Sequence, residues 1–249
     1  MKHHAPSVPR LLAMLVLLAL PYCAAPQAQT QVQVQVPPPA TEPDSAQAVA
    51  SLYPPQPPAN AAYLRVFNAS AGSIAVSVPG SIGSQTQPVP HNGVTRLSVV
   101  PLGQPLNLVL AGQAPLPPLQ ANGGEVMTVI LRHDAQGWHS TRVVDKPQPS
   151  DGLKATLHAY NLLAGCSADI TLGANGPAVF AALVPGTPGT RAINPVAATL
   201  VGHCGAANTA FALPMLRGGD SYSLFLGGDA IHPVLLGVLD SVAWPPAIH

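Results

Sequence analysis

Three side chains near the carboxyl-terminal end of the chain are of the types that form a nucleophilic catalytic triad. A Gly-Asp-Ser-Tyr block at 219–222 is followed by an Asp-Ala-Ile-His-Pro block at 229–233. A serine hydroxyl is a weak nucleophile until a histidine accepts its proton and a carboxylate orients that histidine. The pattern would suit acyl transfer, with Ser221 as the nucleophile, His232 as the base and Asp229 as the orienting acid.

The two blocks resemble those of the SGNH esterases and acetyltransferases, which are α/β proteins. In that superfamily the blocks lie near opposite ends of the domain, whereas here Asp229 follows Ser221 by eight positions. A crossover between parallel strands takes about a dozen residues or more, so this spacing leaves no room for an α/β framework. We therefore expect no enzymatic activity, and an SGNH-like acetyltransferase that uses Ser221 is the least favoured of three hypotheses.

Other kinds of chemistry find little support in the composition. Only 8% of residues are charged, ten basic and ten acidic, so no basic surface is indicated that would displace counterions from a nucleic acid. The nine histidines show no zinc-ligand spacing, and the acids offer no pair for glycoside hydrolysis. We expect no cofactor, no metal site and no nucleic-acid partner.

The first 25 residues have the layout of a secretory signal peptide. Lys2 and Arg10 precede ten consecutive apolar residues at 11–20, which are too few for a membrane-spanning helix, and small residues follow at 23–25. Residues 26–60 then form a Pro-rich linker with polyproline-prone sequence. These features predict export to the periplasm.

Export determines how the cysteines are interpreted. Once Cys23 is removed with the signal peptide, Cys166 and Cys204 remain. An isolated pair in an oxidising compartment favours a disulfide, because two thiols alone lack the further ligands that zinc needs. We predict a Cys166–Cys204 disulfide.

From residue 61 onwards the sequence alternates between short apolar-polar segments and turns. The chain contains 30 prolines and 22 glycines, and turn pairs such as Pro79-Gly80 and Asn92-Gly93 separate short segments. Among the segments predicted as strands are Tyr63–Asn68, Val94–Val99, Leu106–Leu110 and Val126–Leu131. Strands of five to seven residues at a spacing near ten are typical of β-sandwiches. The predicted fold class is all-β.

The strand pattern repeats after a polar, Pro-containing bridge at 145–152. Leu64–Asn68 matches Leu157–Asn161 at an offset of 93, and Gly123–Leu131 matches Gly218–Leu226 at an offset of 95. Landmarks in one order at a near-constant offset indicate an internal duplication. We predict two tandem β-sandwich domains, at 61–145 and 152–244, each of a normal size for a small sandwich.

Three segments, in order, resemble the AlgF family of periplasmic alginate O-acetylation proteins. They are Leu-Tyr-Pro-Pro at 52–55, Arg-Val-Phe-Asn at 65–68 and Arg-Ala-Ile-Asn-Pro at 191–195. The resemblance spans about residues 52–242. It implies a non-enzymatic adaptor in polysaccharide O-acetylation, alginate by preference and with cellulose as another polymer. Its implied partners are a membrane-bound O-acyltransferase and periplasmic SGNH-type acetyltransferases.

Three arginines and one tryptophan are the candidate binding residues. In so uncharged a chain, Arg65, Arg96 and Arg191 either pair with acids inside the fold or form a partner surface. Trp138 is the candidate glycan contact of the alternative hypothesis, a carbohydrate-binding module of a polysaccharide export system, although a structural position at the rim or in the core is favoured for it.

Overall fold

A computed structural model of the chain describes Pro58 and residues 60–78, 86–146 and 151–242. The predicted signal peptide, nearly all of the predicted linker and the turn at Pro79-Gly80 lie outside these residues. The described residues form fifteen β-strands and no helix, which confirms the all-β prediction. They accordingly contain no helix that could serve as a membrane span.

Seven strands make up the first half of the described chain. They are β1 (Ala62–Asn68), β2 (Ile74–Ser77), β3 (Gln87–Val89), β4 (Ser98–Val100), β5 (Val109–Leu110), β6 (Val126–Asp134) and β7 (Gly137–Asp145). Eight strands make up the second half. They are β8 (Ala155–Asn161), β9 (Ala168–Leu172), β10 (Ala178–Leu183), β11 (Pro188–Ile193), β12 (Ala198–Cys204), β13 (Ala207–Leu213), β14 (Ser221–Gly228) and β15 (Pro233–Leu239).

Each half contains two sheets. The first half has a four-stranded sheet in the order β4-β1-β6-β7 and a three-stranded sheet in the order β3-β2-β5. The second half has two four-stranded sheets, β11-β8-β14-β15 and β10-β9-β12-β13. Two facing sheets with apolar inner faces form a sandwich, so the structure confirms the predicted β-sandwich architecture.

The duplication is visible in how the strands pair. In the first half β1 runs parallel to β6, with Arg65 opposite Thr128, and in the second half β8 runs parallel to β14, with His158 opposite Ser223. Strands β1 and β8 also have the same burial pattern, with six of seven residues buried. Each central strand is covered on both faces, which explains why its sequence is nearly continuous in apolar residues.

Three hydrophobic clusters hold the described residues together. One fills the first sandwich around Leu64, Leu108 and Met127, and a second fills the other sandwich around Leu157, Ile170 and Leu224. A third cluster joins the halves and contains Phe67, Ile130, Val143, Tyr160, Leu162 and Phe225. The two sandwiches therefore pack against each other through apolar side chains of their central strands.

The disulfide prediction is confirmed. Cys166 and Cys204 are bonded with their Cα atoms 5.9 Å apart, and both are buried in the core of the second half. Cys166 precedes β9 and Cys204 ends β12, and these two strands are neighbours in one sheet. The bond therefore closes one end of that sheet.

The predicted strand at Val94–Val99 is shorter in the structure, where β4 begins at Ser98. The hydroxyl of Thr95 accepts a hydrogen bond from the backbone N–H of Val66 at 2.9 Å, which replaces a backbone ladder bond at this point. The Asn-Gly turn just before it forms as predicted. Asn92 has a φ of 54°, and a Cβ atom on Gly93 would lie 2.7 Å from the ring of Pro90.

Candidate functional site

The contact between the two halves is built around a buried arginine. The Arg65 side chain is 1% exposed, and its Nη1 donates to Oδ1 of Asp240 in the other half at 2.6 Å. Its Nε donates to the hydroxyl of Thr128 on the neighbouring strand at 2.9 Å. The sequence left two alternatives for Arg65, a partner surface or an internal pair with an acid. Because Arg65 is buried and pairs with Asp240, the structure supports the internal pair.

Two aromatic rings of the second half enclose the same guanidinium. The Arg65 Cζ atom lies 5.0 Å from the ring centre of Tyr160 and 4.7 Å from that of Phe225. A cation over a desolvated aromatic face is attracted by the ring quadrupole, so these contacts offset part of the desolvation of the charge. The Nη2 atom of Arg65 has no hydrogen-bond partner among the described residues, which leaves the rings as its main neighbours.

A second pair of a basic side chain with a carboxylate crosses the contact in the opposite direction. Nδ1 of His158 in the second half lies 2.7 Å from Oδ2 of Asp145 in the first half, and the Tyr160 hydroxyl donates to the same oxygen at 3.1 Å. In the repeat, His158 corresponds to Arg65 at an offset of 93, and Asp145 corresponds to Asp240 at an offset of 95. Each half therefore supplies a basic side chain to the carboxylate of the other.

The surroundings shift the pKa values of Asp145 and Tyr160. Burial disfavours charge on Asp145, but the hydrogen bond and charge of His158, with the Tyr160 hydroxyl, outweigh it and lower the pKa of Asp145. Burial is also the main reason why the pKa of Tyr160 is raised well above its usual value. Tyr160 therefore keeps its proton and remains a donor to Asp145.

A cleft of about 170 Å³ opens beside these pairs. Its lining includes Asp145, His158, Ser221 and Asp240. The Ser221 hydroxyl donates to Oδ2 of Asp240 at 2.8 Å, and the Ser223 hydroxyl donates to the same oxygen at 2.9 Å. The carboxylate that accepts this hydrogen bond from Ser221 also pairs with Arg65. The hydrogen bond of Ser221 is therefore structural, and no histidine base accepts its proton among the described residues.

The other two members of the candidate triad lie elsewhere. His232 Nδ1 is 3.5 Å from Oδ2 of Asp229, and both side chains are largely exposed. Both belong to the turn between β14 and β15, where Gly228 pairs with Pro233, whereas Ser221 begins β14. Strand β14 has eight residues, and at about 3.4 Å per residue its two ends lie more than ~20 Å apart. The fold therefore does not bring Ser221 to His232.

A separate apolar groove lies in the second half, where β10 and β11 are edge strands of the two different sheets. We call it the β10–β11 groove, and it has a volume of about 380 Å³. Its walls are aliphatic and include Leu157, Leu172, Val179, Ile193, Val196 and Leu213. Arg191 and Asn194 are the polar residues in its described lining, and both belong to the segment 191–195 that carries the family resemblance.

Arg191 spans the rim of this groove. Its Nη1 donates to the backbone oxygens of Ala178 at 3.1 Å and Val179 at 2.7 Å, and its side chain is exposed. Among the described residues no carboxylate forms an ion pair with Arg191. Its positive charge is therefore held at the edge of an apolar surface.

The remaining candidates have simpler surroundings. Arg96 is exposed and forms no side-chain hydrogen bond with any residue in the described part of the chain, so it remains a candidate for a partner surface.

Trp138 is half-buried against the apolar cluster of the first half, with its ring centre 4.9 Å from that of His133. Its position supports the core alternative more than an open platform for sugars.

Sequence reasoning overlooked two buried asparagines that end the central strands. The Asn68 amide donates to the backbone oxygens of Gly72, Val89 and Pro90, and the Asn161 amide donates to those of Cys166 and Leu183. They occupy equivalent positions in the repeat, so their common spacing was the available signal. Each anchors the loop that follows its strand.

Comparison with known proteins adds little. No family model matches the chain, and no curated protein matches it. Among solved structures, one similar chain is CBMbc, a family-26 carbohydrate-binding module from Eubacterium rectale Amy13K, in complex with maltoheptaose. The two are 11% identical with a TM-score of 0.25, over 70% of this chain and 96% of that chain. A TM-score this low does not indicate a shared fold.

Proposed function

We propose that the protein is a non-enzymatic periplasmic adaptor in the O-acetylation of a secreted polysaccharide, alginate by resemblance. It would link a membrane-bound O-acyltransferase to periplasmic SGNH-type acetyltransferases. The observation that carries the proposal is that the family-like segment at 191–195 lines an open apolar groove and places Arg191 at its rim. Exposed apolar surfaces with a polar rim are typical of protein-binding sites.

The contact between the halves supports the same function. Two sandwiches joined by a common apolar cluster and by two reciprocal contacts between a basic side chain and a carboxylate form a scaffold of fixed geometry. A scaffold that holds its binding surfaces at a fixed separation loses less entropy when it binds two partners, because the surfaces are already oriented. A protein that links two enzymes benefits from binding surfaces that are already held in place.

The aliphatic lining favours a protein partner over a sugar. Sugar-binding sites present exposed aromatic rings, whereas the described lining of the β10–β11 groove holds none. Trp138, the candidate glycan contact, is half-buried against the core of the first half. Contact with the polysaccharide itself is therefore the alternative hypothesis, to be tested in parallel.

The proposal is tested by reconstitution with purified components. The exported chain, with its disulfide formed, is mixed with the SGNH-type acetyltransferase and the detergent-solubilised O-acyltransferase encoded nearest to it. We expect both to co-elute with the chain on size-exclusion chromatography. A chain that captures neither protein, while retaining mannuronate or cellulose oligomers on an affinity column, would instead support a carbohydrate-binding module.

A further inference from the structure

The β10–β11 groove lies where the two sheets of the second half separate at their edge. Leu172 and Val196, which lie in its walls, are 44% and 43% exposed. Its volume of about 380 Å³ falls in the range of about 300–1,000 Å³ that is usual for binding pockets. The groove can therefore admit one or two large side chains.

Of the two edge strands beside the groove, β10 is unsuited to adding another strand. The pairing of β10 with β9 is irregular, with register shifts on both sides of Phe180. Two backbone oxygens near the start of β10 already accept bonds from Arg191. Irregular edges resist strand addition, so an occupant beside β10 would be held by its side chains.

The charge at the rim restricts the occupant further. Arg191 uses Nη1 for the two backbone oxygens, while Nε and Nη2 form no hydrogen bond with any described residue. A guanidinium pairs best with a planar carboxylate, to which it can donate two parallel bonds. An aliphatic side chain with a carboxylate nearby would complement both the walls and the rim.

We propose that the β10–β11 groove binds a segment of a partner protein that inserts an aliphatic side chain and places a carboxylate against Arg191. The proposal rests on the adaptor function, because it identifies the surface by which one acetylation component docks. The carboxylate is an acidic side chain or a chain terminus of that partner. Hydrophobic burial supplies affinity, and the carboxylate sets the orientation of the segment.

The test uses defined peptides and the full exported chain labelled with ¹⁵N. The probe is N-acetyl-Leu-Ala-Leu with a free carboxylate, and its carboxamide is the matched control. We expect the acid to shift the amide signals of residues that line the groove, and to bind about fivefold more tightly than the amide, as for one exposed ion pair. Equal binding of acid and amide, or no binding of either, would overturn the proposal.

Three variants separate the walls of the groove from its rim. Arg191→Gln should remove the preference for the acid, and Arg191→Lys should restore part of it. Val196→Asp should abolish binding of both peptides without unfolding the chain, since Val196 is 43% exposed. Arg217→Gln, at an exposed arginine outside the groove lining, is the control and should leave peptide binding unchanged.

Further probes identify an occupant of another kind. Decanoate combines a hydrocarbon chain with a carboxylate, and a mannuronate tetramer represents the polysaccharide. Tighter binding of either one than of the peptide acid would contradict a protein segment as the occupant.

The adaptor function and the groove proposal can fail separately. If Val196→Asp still co-elutes with both acetylation enzymes, the adaptor stands and the groove proposal is wrong. If the groove binds the peptide as expected but the chain captures neither enzyme, the adaptor function is wrong.

Discussion

Nη1 of Arg65 in the first sandwich lies 2.6 Å from Oδ1 of Asp240 in the second. The arginine side chain is 1% exposed and the aspartate side chain is 11% exposed. A charge buried this deeply is tolerated only while it is paired, because removing one partner leaves the other uncompensated. The equivalent pair, His158 with Asp145, crosses in the other direction. Two halves of one chain thus contact each other as two identical subunits do in a symmetric dimer.

The first prediction concerns this pair. Asp240→Asn should lower the free energy of unfolding by about 3–5 kcal/mol, because Arg65 then has no carboxylate partner in the interior. Arg65→Met with Asp240→Asn should recover a large part of this loss, since the double variant buries no unpaired charge. The measurement is urea denaturation followed by fluorescence. Arg96→Met is the matched control and should change stability by about 0.5 kcal/mol or less.

The second prediction concerns acid stability. The pKa of Asp145 is lowered in the folded chain, so its ionised form contributes stability above the ordinary aspartate pKa, about 3.9. This stability is lost as the pH falls through the lower, folded-state pKa. We expect the free energy of unfolding to decrease below about pH 4, and we expect Asp145→Asn to flatten that part of the profile.

A control for the acid profile is available at the surface. The pKa of Asp134 is also lowered, mainly by a hydrogen bond from the backbone of Gln136, but its side chain is exposed beside His139. Asp134→Asn should therefore change the acid limb far less than Asp145→Asn. Equal effects of the two variants would show that the buried pair is not the source of the pH dependence.

The third prediction concerns Ser221. Its hydroxyl donates to Asp240, and its strand separates it from His232, so Ser221→Ala should leave any hydrolysis of p-nitrophenyl acetate at the background rate of the parent chain. It should lower stability by about 1 kcal/mol, the usual net contribution of one hydrogen bond. A serine-dependent acetylesterase activity in the parent chain, lost in the variant, would contradict the adaptor function.

Much of the fold could be predicted from the sequence because its signals are local. Alternating segments and Gly- and Pro-rich turns indicated the strands, and the offset between Leu64–Asn68 and Leu157–Asn161 indicated the duplication. The Cys166–Cys204 bond followed from the cysteine count and the predicted export. The strand over Leu106–Leu110 was only partly correct, since β5 is Val109–Leu110 and Leu106 forms an isolated bridge with Leu119.

The sites were harder to predict because they depend on how the halves pack. Arg65 lies on a strand that is buried on both faces, so alternation could not show which way its side chain points. The repeat did align Arg65 with His158, but the carboxylates that they reach belong to the opposite half. The β10–β11 groove draws its lining from six strands or their flanking loops, from Leu157 to Leu213, and no single motif describes it.

The fourth prediction concerns the disulfide. Cys166→Ala with Cys204→Ala should lower the free energy of unfolding by about 2–5 kcal/mol, as is usual when a native disulfide is removed from a small exported domain. The bond encloses a sequence separation of 38 residues and lies in the core of the second half. Thermal unfolding of the variant, compared with the parent in the presence and absence of reductant, measures the effect. The reduced parent should match the variant.

The fifth prediction concerns Asn161. Its amide donates to the backbone oxygens of Cys166 at 2.6 Å and Leu183 at 2.7 Å, and its side-chain oxygen accepts from the N–H of Leu163 at 3.0 Å. Asn161→Asp keeps the size but turns the two donors into a carboxylate oxygen that faces two carbonyls. Because the residue is fully buried, we expect a loss of about 3–5 kcal/mol at neutral pH.

The pH dependence of Asn161→Asp distinguishes charge from shape. A protonated aspartic acid can donate one of the two lost hydrogen bonds, and burial favours the neutral acid. The loss of stability relative to the parent should therefore shrink as the pH falls from 7 towards 5. Asn161→Ala lacks a titrating group, so its deficit should stay constant over the same range. A constant deficit in both variants would mean that packing around Asn161, and not its two donated hydrogen bonds, anchors the loop.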